Sequence, residues 1–155
     1  MNVAVLGDVM LDVVVAPVGP LSATSDTPSR VRVGRGGSGA NLAIALARTG
    51  HDVTYLGAAG RDGAAALWRG YLAEAGVHAR LEEVDAATGV VVALVGGDGQ
   101  RSMYTDRGAN SLLTGLFVET ALAAAFAHAE EVGAHGKDVT PVLLAEFARY
   151  SAGAS

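Results

Sequence analysis

Val3–Leu6 is an unbroken apolar run closed by Gly7, and a run so short predicts a buried strand. Leu11–Pro17 is a second apolar run that stops at a proline. A polar loop, Gly19–Ser29, separates it from Val31–Gly34, where valine and arginine alternate as on a half-exposed strand. After a glycine-rich stretch, Asn41–Thr49 has the spacing of a helix stopped by Gly50. His51–Gly60 predicts a strand, and Asp62–Ala75 a helix with Asp62 at its start, Leu67, Tyr71 and Leu72 on one face and Gly76 after its end. His78–Val84, Thr88–Gly97 and Arg101–Asp106 predict three further strands, the last two joined by a turn in Gly96–Gln100. From Leu116 the pattern changes. Glu119–Gly133 is an alanine-rich helix, Thr140–Gly153 reads as a second helix opened by Pro141, and no strand is predicted after Asp106.

Strands alternating with helices, with short strands interleaved, predict an α/β domain with a partly parallel sheet and an antiparallel flap. The 155 residues suffice for one domain, and with half of them apolar and 17% charged the composition is globular. The net charge of −5 argues against nucleic acid or an anionic membrane as partner. Without cysteine there is no disulfide, thiolate or cysteine-ligated zinc chemistry. The four histidines have no ligand-like spacing with carboxylates, so no metal site is expected. The start Met1–Met10 has neither a basic segment nor a long apolar core, and no run is long enough for a membrane-spanning helix. A cytoplasmic location is the expectation.

The chemistry concentrates in Gly34–Asn41, GRGGSGAN. Gly34, Gly36 and Gly39 satisfy the dinucleotide pattern G-x-G-x-x-G, but the acid required at the end of the next strand is absent: that strand ends Tyr55-Leu56-Gly57. No Gly-Lys-Ser/Thr follows, so it is not a nucleotide-binding P-loop. A tight turn between strand and helix is the plain alternative. Two residues point instead to a ligand. Asn41 stands in the first helical turn, beside backbone N–H groups with no intrahelical partner. Asp12 follows the first strand, near the carboxyl edge where open α/β sheets bind ligands. A carboxylate on one side and amides on the other suit a neutral, hydroxyl-rich ligand.

These residues resemble a family. Gly36-Gly37-Ser38-Gly39-Ala40-Asn41-Leu42-Ala43, followed by Gly50 and Gly60, is similar to the N-terminal signature of PfkB (ribokinase-like) sugar and nucleoside kinases. Gly7-Asp8-Val9-Met10-Leu11-Asp12 resembles that family's opening, whose aspartate grips sugar hydroxyls. Gly60–Val77 resembles the helix after its second core strand, and Thr88–Asn110 its lid strands and the Gly-Ala-Asn after them. The likeness covers about residues 1–113. It implies an incomplete ribokinase-like three-layer fold with a small β lid and a helical tail. It implies an acceptor site of Asp12, Gly36, Gly37, Ser38 and Asn41, which binds a sugar or nucleoside. Ser38 stands where the family often has lysine. The family uses Mg-ATP and a C-terminal Asp-Thr-x-Gly-Ala-Gly-Asp stretch, whose last aspartate is the catalytic base. That stretch is not among these 155 residues. The expectation is therefore a truncated kinase with no catalytic residue and no cofactor bound by this chain alone. Family lid strands often pair with a second subunit, which implies a homodimer.

The tail, about residues 116–155, resembles the closing region of pseudouridine-5′-phosphate glycosidases. Gly136, Lys137, Val139, Thr140, Pro141, Leu143 and Leu144 match a Gly-Lys-x-Val-Thr-Pro-Phe-Leu-Leu stretch there. Pseudouridine kinases of the PfkB family make that enzyme's substrate, so pseudouridine is one expected acceptor. The alternative is a non-catalytic remnant of a kinase–glycosidase fusion that binds a nucleoside or dimerises. Among the other polar residues, Glu82 and Glu83 are expected in solvent, Arg107 as a solvated edge charge, and Trp68 and Tyr71 between helix and sheet.

Overall fold

The computed structural model describes residues 2–133 and 142–145. Strict alternation in β1 (Asn2–Leu6) sends Val3 and Val5 to one side and Ala4 and Leu6 to the other. Both sides are covered. β1 lies beside β4 (Asp52–Ala59) in a four-stranded parallel sheet that β5 (His78–Glu83) continues beyond β4. On the Val3 side, α1 (Ser38–Arg48) and α2 (Gly63–Glu74) contribute Ala40, Ala43, Ile44, Trp68 and Leu72 to the main core with Val53 and Tyr55. On the Leu6 side, α3 (Gly115–Gly133) packs Phe117, Val118, Ala121 and Leu122 against Ala4, Leu6 and Leu56. Helices on both faces of a parallel sheet make three layers, as expected.

The fourth strand corrects the sequence reading. β8 (Val142–Ala145) pairs in parallel with β1, Val3 opposite Val142 and Leu6 opposite Ala145. The stretch read as the start of a second helix is thus a strand, and a strand does follow Asp106. Val-Leu-Leu-Ala is a four-residue apolar run of the kind that builds a strand buried on both faces, and such a run has no periodicity to separate it from a helical segment. The remainder of that expected helix lies outside the described residues.

The second sheet contains β2 (Met10–Pro17), β3 (Ser29–Gly36), β6 (Gly89–Val95) and β7 (Arg101–Asp106), in the order β3-β2-β6-β7. It is mixed where a purely antiparallel flap was expected: β2–β3 and β6–β7 are antiparallel, but β2 and β6 run parallel. That parallel pairing arises because the chain enters both strands from the first sheet, out of β1 and out of β5. A 3-10 turn, Gly108–Leu112, leads from β7 to α3.

Within α2 the buried face is Ala65, Trp68 and Leu72, while Leu67, expected on it, is 39% exposed. Trp68 decides the rotation of the helix, because an indole placed in the core brings the positions three before and four after it inward.

Candidate functional site

The second sheet stands on the carboxyl ends of the parallel strands. The chain crosses between the sheets after β1, at Gly7–Val9, after β5, at Val84–Thr88, and again at Gly37 and Arg107. Asp12 is the third residue of β2, just beyond the first crossing, and pairs with Gly34 of β3. Its carboxylate lies against Gly36, where a side-chain Cβ would collide with it. Position 36 thus leaves the carboxylate the room a methyl group would take. Partial burial raises the Asp12 pKa above the ordinary carboxylate value, since withdrawal from water penalises the charged form.

The glycine stretch is less of a loop than its composition suggests. Gly34, Arg35 and Gly36 complete β3, and Ser38 is already the first residue of α1. Gly37 alone makes the joint, with φ 84°, and a side chain there would strike the Asp8 carbonyl. Gly37 is also the N-cap of α1 and offers no capping side chain, so the first-turn N–H groups lack the partner a serine or aspartate would supply. Ser38 is exposed in that turn. Asn41 is exposed too, and its amide N–H donates to the Gly37 carbonyl at 3.0 Å. The structure therefore gathers Asp12, Gly36, Gly37, Ser38 and Asn41 about one strand-to-helix joint: Asp12 against Gly36, Asn41 against Gly37, Ser38 next in chain.

Several residues that hold this joint carry no obvious mark in the sequence. Arg107, expected in solvent, is partly buried and pairs with Asp8 at 2.6 Å. Asn110 grips Val9 twice: its Oδ1 accepts from the Val9 N–H and its Nδ2 donates to the Val9 carbonyl, both at 2.9 Å. The Trp68 indole donates to the Met10 carbonyl at 2.6 Å. Asp8, Val9 and Met10 are thus pinned by three side chains immediately before Asp12. Only the likeness of Gly108-Ala109-Asn110 to a family motif drew attention to Asn110, and it gave no role.

At the other crossing Asp62 caps α2, its Oδ1 accepting from Ala65 N–H at 2.8 Å, as expected of a helix-start acid. It also accepts from Thr88 N–H and from the Thr88 hydroxyl, at 2.7 and 2.8 Å. Burial pulls its pKa upward, but the hydrogen bonds from Ala65 and Thr88 outweigh it and hold the carboxyl below the ordinary value. Glu82 is not a bystander in solvent: it accepts from the Thr114 N–H and hydroxyl, tying β5 to the start of α3. Glu83 is exposed and pairs with Arg61 at 2.6 Å. Among the described residues no cluster of three or more histidines, acids or cysteines is placed to hold a metal.

A carboxylate and uncapped helix amides thus meet at the hinge of a small sheet over a parallel sheet. The model of the pfkB family of carbohydrate kinases matches residues 1–150. The chain belongs to that family. This pfkB-family chain is 33% identical over 114 residues to a bifunctional ribokinase/ribose-5-phosphate isomerase A of Fructilactobacillus sanfranciscensis, a match covering 72% of the chain and 21% of that protein. Among solved structures, ribokinase from Giardia lamblia matches 97% of the chain and 52% of its own, with a TM-score of 0.74 at 19% identity. Ribokinase from Cryptococcus neoformans in complex with ADP matches 92% of the chain and 48% of its own, with a TM-score of 0.61 at 27% identity. The chain thus spans about a fifth of that curated relative and about half of these two ribokinases. The fold is that of the ribokinase-like kinases, and the family match extends through most of the segment that was also likened to a glycosidase.

Proposed function

We infer that the chain forms the phosphoryl-acceptor side of a sugar or nucleoside kinase. The observation that carries this reading is the Asp12 carboxylate seated against Gly36, one residue before the positive-φ joint into α1. A carboxylate with two acceptor oxygens holds a pair of neighbouring hydroxyls, and N–H groups at the start of α1 with the Asn41 amide take oxygens on the other side. Gly36, Gly37 and Ser38 keep that approach open. Pseudouridine is one acceptor within this class, and ribose and fructose are others.

Phosphoryl transfer to a hydroxyl rests on positioning and on electrostatic stabilisation of the moving group. The acceptor site does the first. The second requires a base and a phosphate clamp. Asp12 does not replace the base, because a carboxylate engaged with two remote hydroxyls is not aimed at the reacting one. A positioned general base contributes roughly 10²- to 10⁴-fold and an anion hole at least as much. The 155-residue chain with Mg-ATP is therefore expected to bind ribose, fructose or pseudouridine without phosphorylating it. Calorimetry on wild type and Asp12→Ala, beside a coupled ADP-release assay, tests this. Binding that is lost in Asp12→Ala supports the reading, and turnover abolished by that same substitution overturns the division of labour.

The second sheet favours a further partner, a second copy of the chain. Val33, Val13, Val92 and Tyr104 form one cross-strand row, and Val31, Val15 and Leu94 lie in the next. Val31, Val33 and Tyr104 are each more than half exposed. A groove of about 500 Å³, lined in part by Pro17, Leu21 and Leu94, extends this apolar face outward. A contiguous exposed apolar surface favours association, and a sheet face that meets its own copy buries matching rows.

A further inference from the structure

A cavity of about 480 Å³ lies where the ends of α1 and α2 approach β3, and Arg35, Arg48, Tyr71, Glu74 and Ala75 line it. A cleft of that size suits a small molecule. It is separate from the acceptor joint. Arg35 pairs with Leu11, one row from Asp12 and Gly34, so strand alternation sends its side chain out on the opposite face of the second sheet.

The cavity gathers three charges without joining them. The Arg35 guanidinium stands over the Tyr71 ring, 5.2 Å from its centre. Tyr71 is itself held edge-on against Trp68, with ring centroids 6.0 Å apart, and Trp68 is fixed by its hydrogen bond to the Met10 carbonyl. Arg35 is therefore half-buried and held before any ligand arrives. A guanidinium over an aromatic ring keeps its N–H edge for a carboxylate. Arg48 and Glu74 are exposed. Neither arginine, nor Glu74, takes part in the ion pairs formed among the described residues.

Arg48 has a plain role in the fold. It stands in the last turn of α1, where a cation complements the negative end of the helix dipole. The same rule runs against Glu74. It is the last residue of α2, and no basic residue in that turn offsets it. An acid thus stands where its own helix repels it, on the wall of a cavity that two cations also line, and it pairs with neither. A ligand with an anionic and a cationic group satisfies all three side chains. A simple anion satisfies the arginines alone and is repelled by Glu74.

We propose that this cavity binds a small zwitterion of the α-amino-acid type. Its carboxylate is taken by Arg35 with Arg48, its ammonium by Glu74, and its side chain runs along Tyr71 and Ala75. The site is independent of the acceptor-site reading and stands or falls apart from it.

The test is a ¹⁵N chemical-shift titration of the chain with the common L-amino acids, then with the N-acetyl and carboxamide forms of any that binds, and with inorganic phosphate alone. At least one amino acid is expected to bind saturably, with the largest shifts at the amides of Arg35, Arg48, Tyr71, Glu74 and Ala75. Blocking either its ammonium or its carboxylate is expected to weaken binding roughly 10- to 100-fold, the range that hydrogen bonds to charged groups provide. Arg35→Gln and Glu74→Gln should weaken the parent amino acid to a similar degree, with circular dichroism unchanged. Blocked forms that bind as tightly as the parent overturn the proposal. Inorganic phosphate that binds as tightly also overturns it, showing an unselective cationic patch. Displacement of the amino acid by ribose, or no saturable binding by any amino acid, overturns it as well.

Discussion

At the scale of single residues, Asp12 bears the greatest tension between stability and function. Its pKa is raised by partial burial, so the folded chain holds the ionised form less readily than water does. A carboxyl with a raised folded pKa opposes folding while ionised, and the opposition fades as pH falls through that raised value. Asp12→Asn is therefore expected to raise the melting temperature at neutral pH while abolishing sugar binding. In wild type, binding should weaken on acidification at a pH above the ordinary carboxylate value of about 3.9. Thermal melts and titrations across pH 3–7 check both. A variant that melts lower and binds equally well would mean that Asp12 is structural. Asp12 and the Gly36–Asn41 stretch were legible in the sequence, because a glycine cluster before a helix and an acid after the first strand are local patterns. Asp8 paired with Arg107 was not, since the partners lie 99 residues apart and no local pattern pairs them.

At the scale of elements, the start of α2 joins the two sheets. Asp62 caps the helix and also holds Thr88, which is buried and leads into β6. Because hydrogen bonds hold the Asp62 pKa low, the stability it contributes is present above the unfolded carboxylate value and is lost as pH falls through the lower folded value. Asp62→Ala is expected to cost about 1–2 kcal/mol, the usual range for a lost aspartate cap, or roughly 2–8 °C in melting temperature at this chain length. Asp62→Asn should recover most of the helix cap and less of the double contact to Thr88. Equal melting temperatures for wild type and Asp62→Ala would remove this role. Most elements were predictable from apolar runs, glycine stops and the helix-start acid. Two features were not. β8 has the composition of either a strand or a helix, and only its place beside β1 decides. The parallel pairing of β2 with β6 depends on contacts between residues some eighty positions apart, which no local pattern encodes.

At the scale of the molecule, the second sheet carries Asp12 on one face and the exposed side chains of Val31, Val33 and Tyr104 on the other. Sedimentation is expected to show a dimer at micromolar concentration, converted to monomer by Val33→Arg or Tyr104→Glu. A monomer in wild type at high concentration would mean that the apolar face does not join two copies. The three-layer arrangement sets the proposed acceptor site at the carboxyl end of the parallel strands, where the second sheet meets it. The most direct test of that placement is a ¹⁵N chemical-shift titration of the chain with ribose, fructose and pseudouridine. The largest shifts are predicted at the amides of Asp12, Gly36, Gly37, Ser38 and Asn41, and Gly36→Ala, which pushes a methyl group into the Asp12 carboxylate, should erase them. Shifts confined to the apolar face, or a response undiminished by Gly36→Ala, would contradict the assignment of this joint as the acceptor site.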